Sequence, residues 1–141
     1  MRIAENSDTQ PALIRRFHDG KLRGDESVKV YGAGTPRREF LQVDYLADAV
    51  LHLLQTYDAE SIVNIGWRND VTMRELAELV LSVIGYRGRL DFDLTKPDGT
   101  PRKLLEVPRL TQLRWQPKIP LKHDIARTYE WFKEHSADPR L

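Results

Sequence analysis

Cysteine is absent from the 141 residues, which removes disulfides, thiolate zinc sites, iron–sulfur clusters and cysteine nucleophiles together and fits a reducing compartment. Charge of one sign is not in excess either: 22 Lys and Arg stand against 21 Asp and Glu, a formal net charge of +1. Such a balance provides no whole-molecule field toward nucleic acid or an acidic membrane, so neither is an expected partner and any anion site has to be local. No apolar run approaches the ~18 residues of a membrane span, and the opening MRIAENSDTQ has no signal-peptide core. A cytoplasmic location is the expectation. The histidines, His18, His52, His123 and His135, are scattered without His-x-x-x-His or His-Glu spacing, so no metal is expected. Also missing is any G-x-G-x-x-G or G-x-x-G-x-x-G, the glycine pattern that seats a dinucleotide pyrophosphate.

What is present is an ordinary globular mixture, 40% hydrophobic and 30% charged, long enough for one domain with one core. Pro11 to about Leu22 has helical spacing at Leu13, Ile14 and Phe17. Val28–Tyr31 alternates as a strand and enters the Gly32-Ala33-Gly34-Thr35-Pro36 loop. Glu39–Val43 reads as a second strand, followed by Asp44 as N-cap of a helix through Leu54. Ser61–Gly66 reads as a strand, and Thr72 with Glu75 as the capping box of a helix ending at Gly85. Strands at Arg89–Asp93 and Leu104–Val107 and a helix over Leu121–Glu134, with Ile125, Tyr129 and Phe132 on one face, complete an α/β pattern. The domain is expected over 11–135, with flexible ends at 1–10 and 136–141.

Two loops concentrate the chemistry. Tyr31 to Phe40 combines glycines that permit close backbone approach, an aromatic that can stack on a base, and the forked donors of Arg37 and Arg38. Lys96-Pro97-Asp98-Gly99-Thr100-Pro101-Arg102-Lys103 puts several cations and a carboxylate on a backbone shaped by Pro and Gly. On spacing alone, the first is as readily a glycine turn with solvated arginines, and composition alone favours an ordinary Pro-Asp-Gly turn for the second. Arg15 and Arg16 lie on the first helix, where paired cations are ordinarily solvated. Tyr129 and Lys133 have the Tyr-x-x-x-Lys spacing of an acid–base pair, but without a glycine-rich turn nearby the segment reads as core packing.

Taken in order, the Pro11–His18 segment, Tyr31–Phe40 with Val43-Asp44, Asn64-Ile65-Gly66, and Lys96–Lys103 with Leu104-Leu105 resemble the GDP-L-fucose synthase family. These enzymes are GDP-4-keto-6-deoxy-D-mannose 3,5-epimerase-4-reductases within the extended short-chain dehydrogenase/reductases. The resemblance runs from about Asn6 to Phe132, and KPDGTPRK is its most specific piece. It implies the C-terminal substrate-binding portion of an extended SDR, without the N-terminal Rossmann half that binds NADP(H) and carries the catalytic Ser, Tyr and Lys. By the resemblance, Arg16, Tyr31, Arg38 and Lys103 would hold the GDP moiety, cations on the diphosphate and the aromatic near base or ribose, with Asp98 in the same wall. Two positions depart from the family: Tyr31 stands where it has Trp, and Asp8 where it has a His general acid. With a pKa near ~4, Asp8 would be ionised at neutral pH and a poor acid, so no catalytic residue is expected. Neither NADP(H) nor turnover is expected of this chain alone. The partners implied are a GDP-sugar and a separate Rossmann half or a second copy. The alternative is an inactive remnant that binds nucleotide sugars or another protein.

Overall fold

The computed structural model describes residues 10–136. Of the ends expected to be flexible, only Gln10 and Ser136 fall within these bounds, and Asp8 lies outside them. The first helix, α1 (Gln10–Arg23), buries Leu13, Ile14 and Phe17, as their spacing predicts. A strand β1 (Ser27–Tyr31) follows, then β2 (Arg37–Glu39), α2 (Val43–Thr56), β3 (Asp70–Thr72) and α3 (Met73–Ile84). The remaining elements are β4 (Arg89–Asp93), β5 (Arg102–Lys103), α4 (Pro108–Gln112) and α5 (Leu121–His135). The class is α/β as expected. β1 pairs with β4 in parallel, and a second sheet has the order β3-β2-β5, with β2 antiparallel to β3 and parallel to β5.

The predicted capping box is formed: Thr72 accepts the Glu75 amide while the Glu75 carboxylate accepts the Thr72 amide. Gly85 closes the same helix in the left-handed conformation. Four expectations about the elements and their caps are corrected. Asp44 is not the N-cap of α2; Gln42 is, because its side-chain carbonyl accepts the Asp44 amide at 2.8 Å and its amide donates back to the Asp44 carboxylate. The second strand ends at Glu39 instead of beginning there. Ser61–Gly66 joins no sheet: Asn64 donates to the Glu106 carbonyl at 3.0 Å and Arg109 to the Ile62 carbonyl at 2.6 Å, side chains taking the place of a ladder. Leu104–Val107 forms no strand either, since the Leu105 amide is donated to the Glu39 carboxylate.

The single expected core is two. One unites Leu13, Phe17, Val30, Leu76, Val80 and Ile125 with the other inward faces of α1, α3, α5 and β1. The other is smaller and gathers Ala49, Val107, Leu110 and Trp115 between α2 and α4. The helix α4 is missed by periodicity because it is a single turn with Pro108 at its start, a position proline favours.

Candidate functional site

The chemistry-bearing loops meet at the ends of β1 and β4 and along β2. The turn from β1 to β2 is built on Gly32 and Gly34, at φ 79° and 75°, where side-chain-bearing residues are strained. A Cβ on Gly32 would also collide with Asp98 Oδ1. That oxygen accepts the Ala33 amide at 2.6 Å, so Asp98 clamps the Lys96–Lys103 loop onto the glycine turn. The two motifs, far apart in sequence, thus form one surface. Because the glycine turn leads into a strand and not into a helix, it does not present the aligned amides of a helix N-terminus.

Tyr31 ends β1 between cations. The Arg16 guanidinium lies 4.6 Å from the ring centroid and donates to the Lys29 carbonyl at 2.7 Å, and Lys96 Nζ lies 5.8 Å from the same ring. Arg16 and Tyr31 are therefore brought together, and Lys96 of the second loop joins them.

Strand alternation sorts the four cations of β2 and β5 onto two faces. Arg37 and Arg102 are register partners on one face, and both donate to the Asp70 carboxylate, Arg37 at 2.9 Å. Hydrogen bonds from Arg102 and then Arg37 hold the Asp70 carboxyl below its ordinary pKa. On the other face Arg38 pairs in register with Lys103. Arg38 donates to its neighbour's carbonyl at 2.7 Å, and neither Arg38 nor Lys103 has a carboxylate partner among the described residues. Cross-strand neighbours on one face sit close enough to contact one anion.

Two positioning residues escape sequence reading. Glu39 accepts the amides of Trp67 and Arg68 as well as that of Leu105, and so ties two segments to the end of β2. Asp70 neutralises one arginine pair. Period-two alternation across Arg37-Arg38-Glu39 was the available signal, since it separates Arg38 from its neighbours. Tyr129 is buried and 3.0 Å from His18 Nδ1, burial raises its pKa, and the Lys133 ammonium contacts Glu130 at 2.7 Å. Tyr129 also belongs to the larger core, and Lys133 Nζ lies 5.2 Å from its ring centroid. Among the described residues no cluster of His, Cys, Asp or Glu is arranged to hold a metal, and no helix is long and apolar enough to cross a membrane.

The NAD dependent epimerase/dehydratase family model matches residues 4–66. GDP-L-fucose synthase 1 of Arabidopsis thaliana is 53% identical over 128 residues, 91% of this chain and 40% of that protein. The GDP-L-fucose synthase of Escherichia coli K12 is 47% identical over 139 residues, 92% of this chain and 43% of its own length. Among solved structures, the GDP-mannoheptose C4 reductase of Campylobacter jejuni with NADP bound superposes with a TM-score of 0.78 at 33% identity, over 88% of this chain and 44% of that one. Fold and sequence together make the chain the counterpart of the C-terminal portion of an extended short-chain dehydrogenase/reductase. Its sequence is similar to GDP-L-fucose synthases, and it spans about two-fifths of the length of the curated relatives it matches.

Proposed function

We propose that this chain supplies the GDP-sugar-binding part of a GDP-L-fucose synthase in the cytoplasm. The observation that carries the reading is the pairing of Arg38 with Lys103 on one sheet face while Asp70 neutralises Arg37 and Arg102 on the other. A diphosphate bridging Arg38 and Lys103 places the rest of the nucleotide toward the Asp98-clamped loop and Tyr31, with Arg16 completing the grip. Asp98 acts by positioning the loop, since its Oδ1 is engaged by the Ala33 amide. In this reading the chain binds and orients the sugar nucleotide. The epimerisation at C3 and C5 and the reduction at C4 take place on groups of a Rossmann half, which also holds NADP(H). The exposed apolar side chains of α2 support a covering partner.

Calorimetric titration with GDP, with GMP and UDP as controls, tests the site. GDP binds selectively, and Arg38→Ala and Lys103→Ala each weaken it about tenfold or more, the loss expected for one charge-assisted contact. Absence of binding at millimolar GDP, or affinity indifferent to both substitutions, overturns the reading.

A further inference from the structure

Arg68 and Arg114 are the only residues other than glycine with positive φ among those described, at 65° and 61°. Both line one cleft of about 520 Å³, although they are far apart in sequence. Arg114 follows α4 at the position where the chain turns left-handed: its amide donates to the Thr111 carbonyl at 2.9 Å and the Trp115 amide to the Leu110 carbonyl at 3.2 Å. This is the helix-closing arrangement in which glycine is the favoured residue, and an arginine there costs backbone energy. Arg68 has a positive φ as well, and its backbone amide donates a hydrogen bond to the Glu39 carboxylate at 2.8 Å. Neither guanidinium has a hydrogen-bond or ion-pair partner among the described residues, and no acidic residue lines the cleft. Val107, Leu110 and Pro117 provide apolar wall beside Trp67. Two arginines without an ion-pair partner among the described residues line a partly apolar cleft, each at a position that glycine would occupy with less strain.

We propose that this cleft is a second ligand site, separate from the Arg38 and Lys103 pair, that takes a small phosphate-bearing molecule with a flat apolar body. Arg68 and Arg114 grip the phosphate oxygens, and the body lies against Trp67, Leu110 and Pro117. The chemistry follows from the parts. Guanidinium forks match phosphate geometry, and an apolar wall beside them rewards a ring that a free anion does not have.

The test uses phenyl phosphate as the probe, with inorganic phosphate and phenol as controls, titrated calorimetrically into the full chain. Phenyl phosphate binds at least about tenfold more tightly than either control, because each control offers only one half of the recognition. Arg68→Gly and Arg114→Gly each weaken it by about tenfold or more, yet raise the melting temperature by a few degrees, since glycine relieves the left-handed backbone. A rise in melting temperature together with lost binding separates ligand recognition from misfolding. The Arg38→Ala/Lys103→Ala double variant keeps phenyl phosphate affinity, so this site stands or falls independently of the GDP site. Equal affinity for phenol and phenyl phosphate, binding insensitive to both glycine variants, or binding lost in the double variant overturns the proposal.

Discussion

Asp70 determines which cations of the β2–β5 strip are left for a ligand. Its side chain is 6% exposed and receives hydrogen bonds from Arg102 and Arg37, which favour the ionised form and lower its pKa. A carboxyl whose pKa is lowered by folding contributes stability that is complete above its unfolded value, about pH 4, and is lost as pH falls through the folded value. The chain is therefore expected to lose stability steeply below about pH 4, and Asp70→Asn, already weaker at neutral pH, to show a shallower loss there. Chemical denaturation at stepped pH measures both slopes; parallel curves for the two proteins would remove Asp70 from this role. The same residue shows what the sequence could not convey. Arg37 and Arg38 are adjacent and chemically identical, and only strand alternation plus a carboxylate more than thirty positions away, at Asp70, tells them apart.

At the level of elements, legibility followed locality. The helices α1, α3 and α5 and the strands β1 and β4 were readable because their apolar spacing, the Thr72–Glu75 box and the Gly85 stop are local signals. The segments misread as strands, Ser61–Gly66 and Leu104–Val107, have strand-like composition, but their polar backbone groups are met by side chains distant in sequence. Glu39 is the principal one. Replacing it with Gln keeps the shape, exchanges one acceptor oxygen for a donor, and sets that donor against an amide. Glu39→Gln is expected to cost about 0.5–1.5 kcal/mol, the net contribution of a hydrogen bond of this kind. Hydrogen exchange should speed up at Leu105, Trp67 and Arg68 while α1 and α3 keep their protection. Uniform acceleration across the chain would show instead that Glu39 supports the whole fold and not this junction. Of the candidate site, the glycine turn and the KPDGTPRK loop stood out as composition, whereas their meeting through Asp98 and Ala33 is a tertiary fact.

Considered as a whole, the molecule is closed on one side and open on the other. The larger core is sealed by three helices, yet α2 fully buries only Ala49 and leaves Leu54 76% and Leu51 60% exposed, with Val43, Leu46 and Val50 also open to solvent. Ile62, in the segment without a ladder, is 85% exposed. A cluster of this kind is unfavourable to leave in water, because each such side chain gains roughly 1.5–3 kcal/mol on full burial. The matched relatives have more than half their length outside the correspondence with this chain, enough polypeptide to supply the missing cover. Co-expression of this chain with the unmatched part of the Arabidopsis thaliana protein should yield a complex that co-purifies. Leu46→Glu with Leu54→Glu should abolish that complex while changing the melting temperature of the chain alone little, since both side chains already face solvent. If co-purification persists in the double variant, the covering surface lies elsewhere; if the variant chain melts early, α2 is part of the fold's own support and its exposed leucines are not an interface.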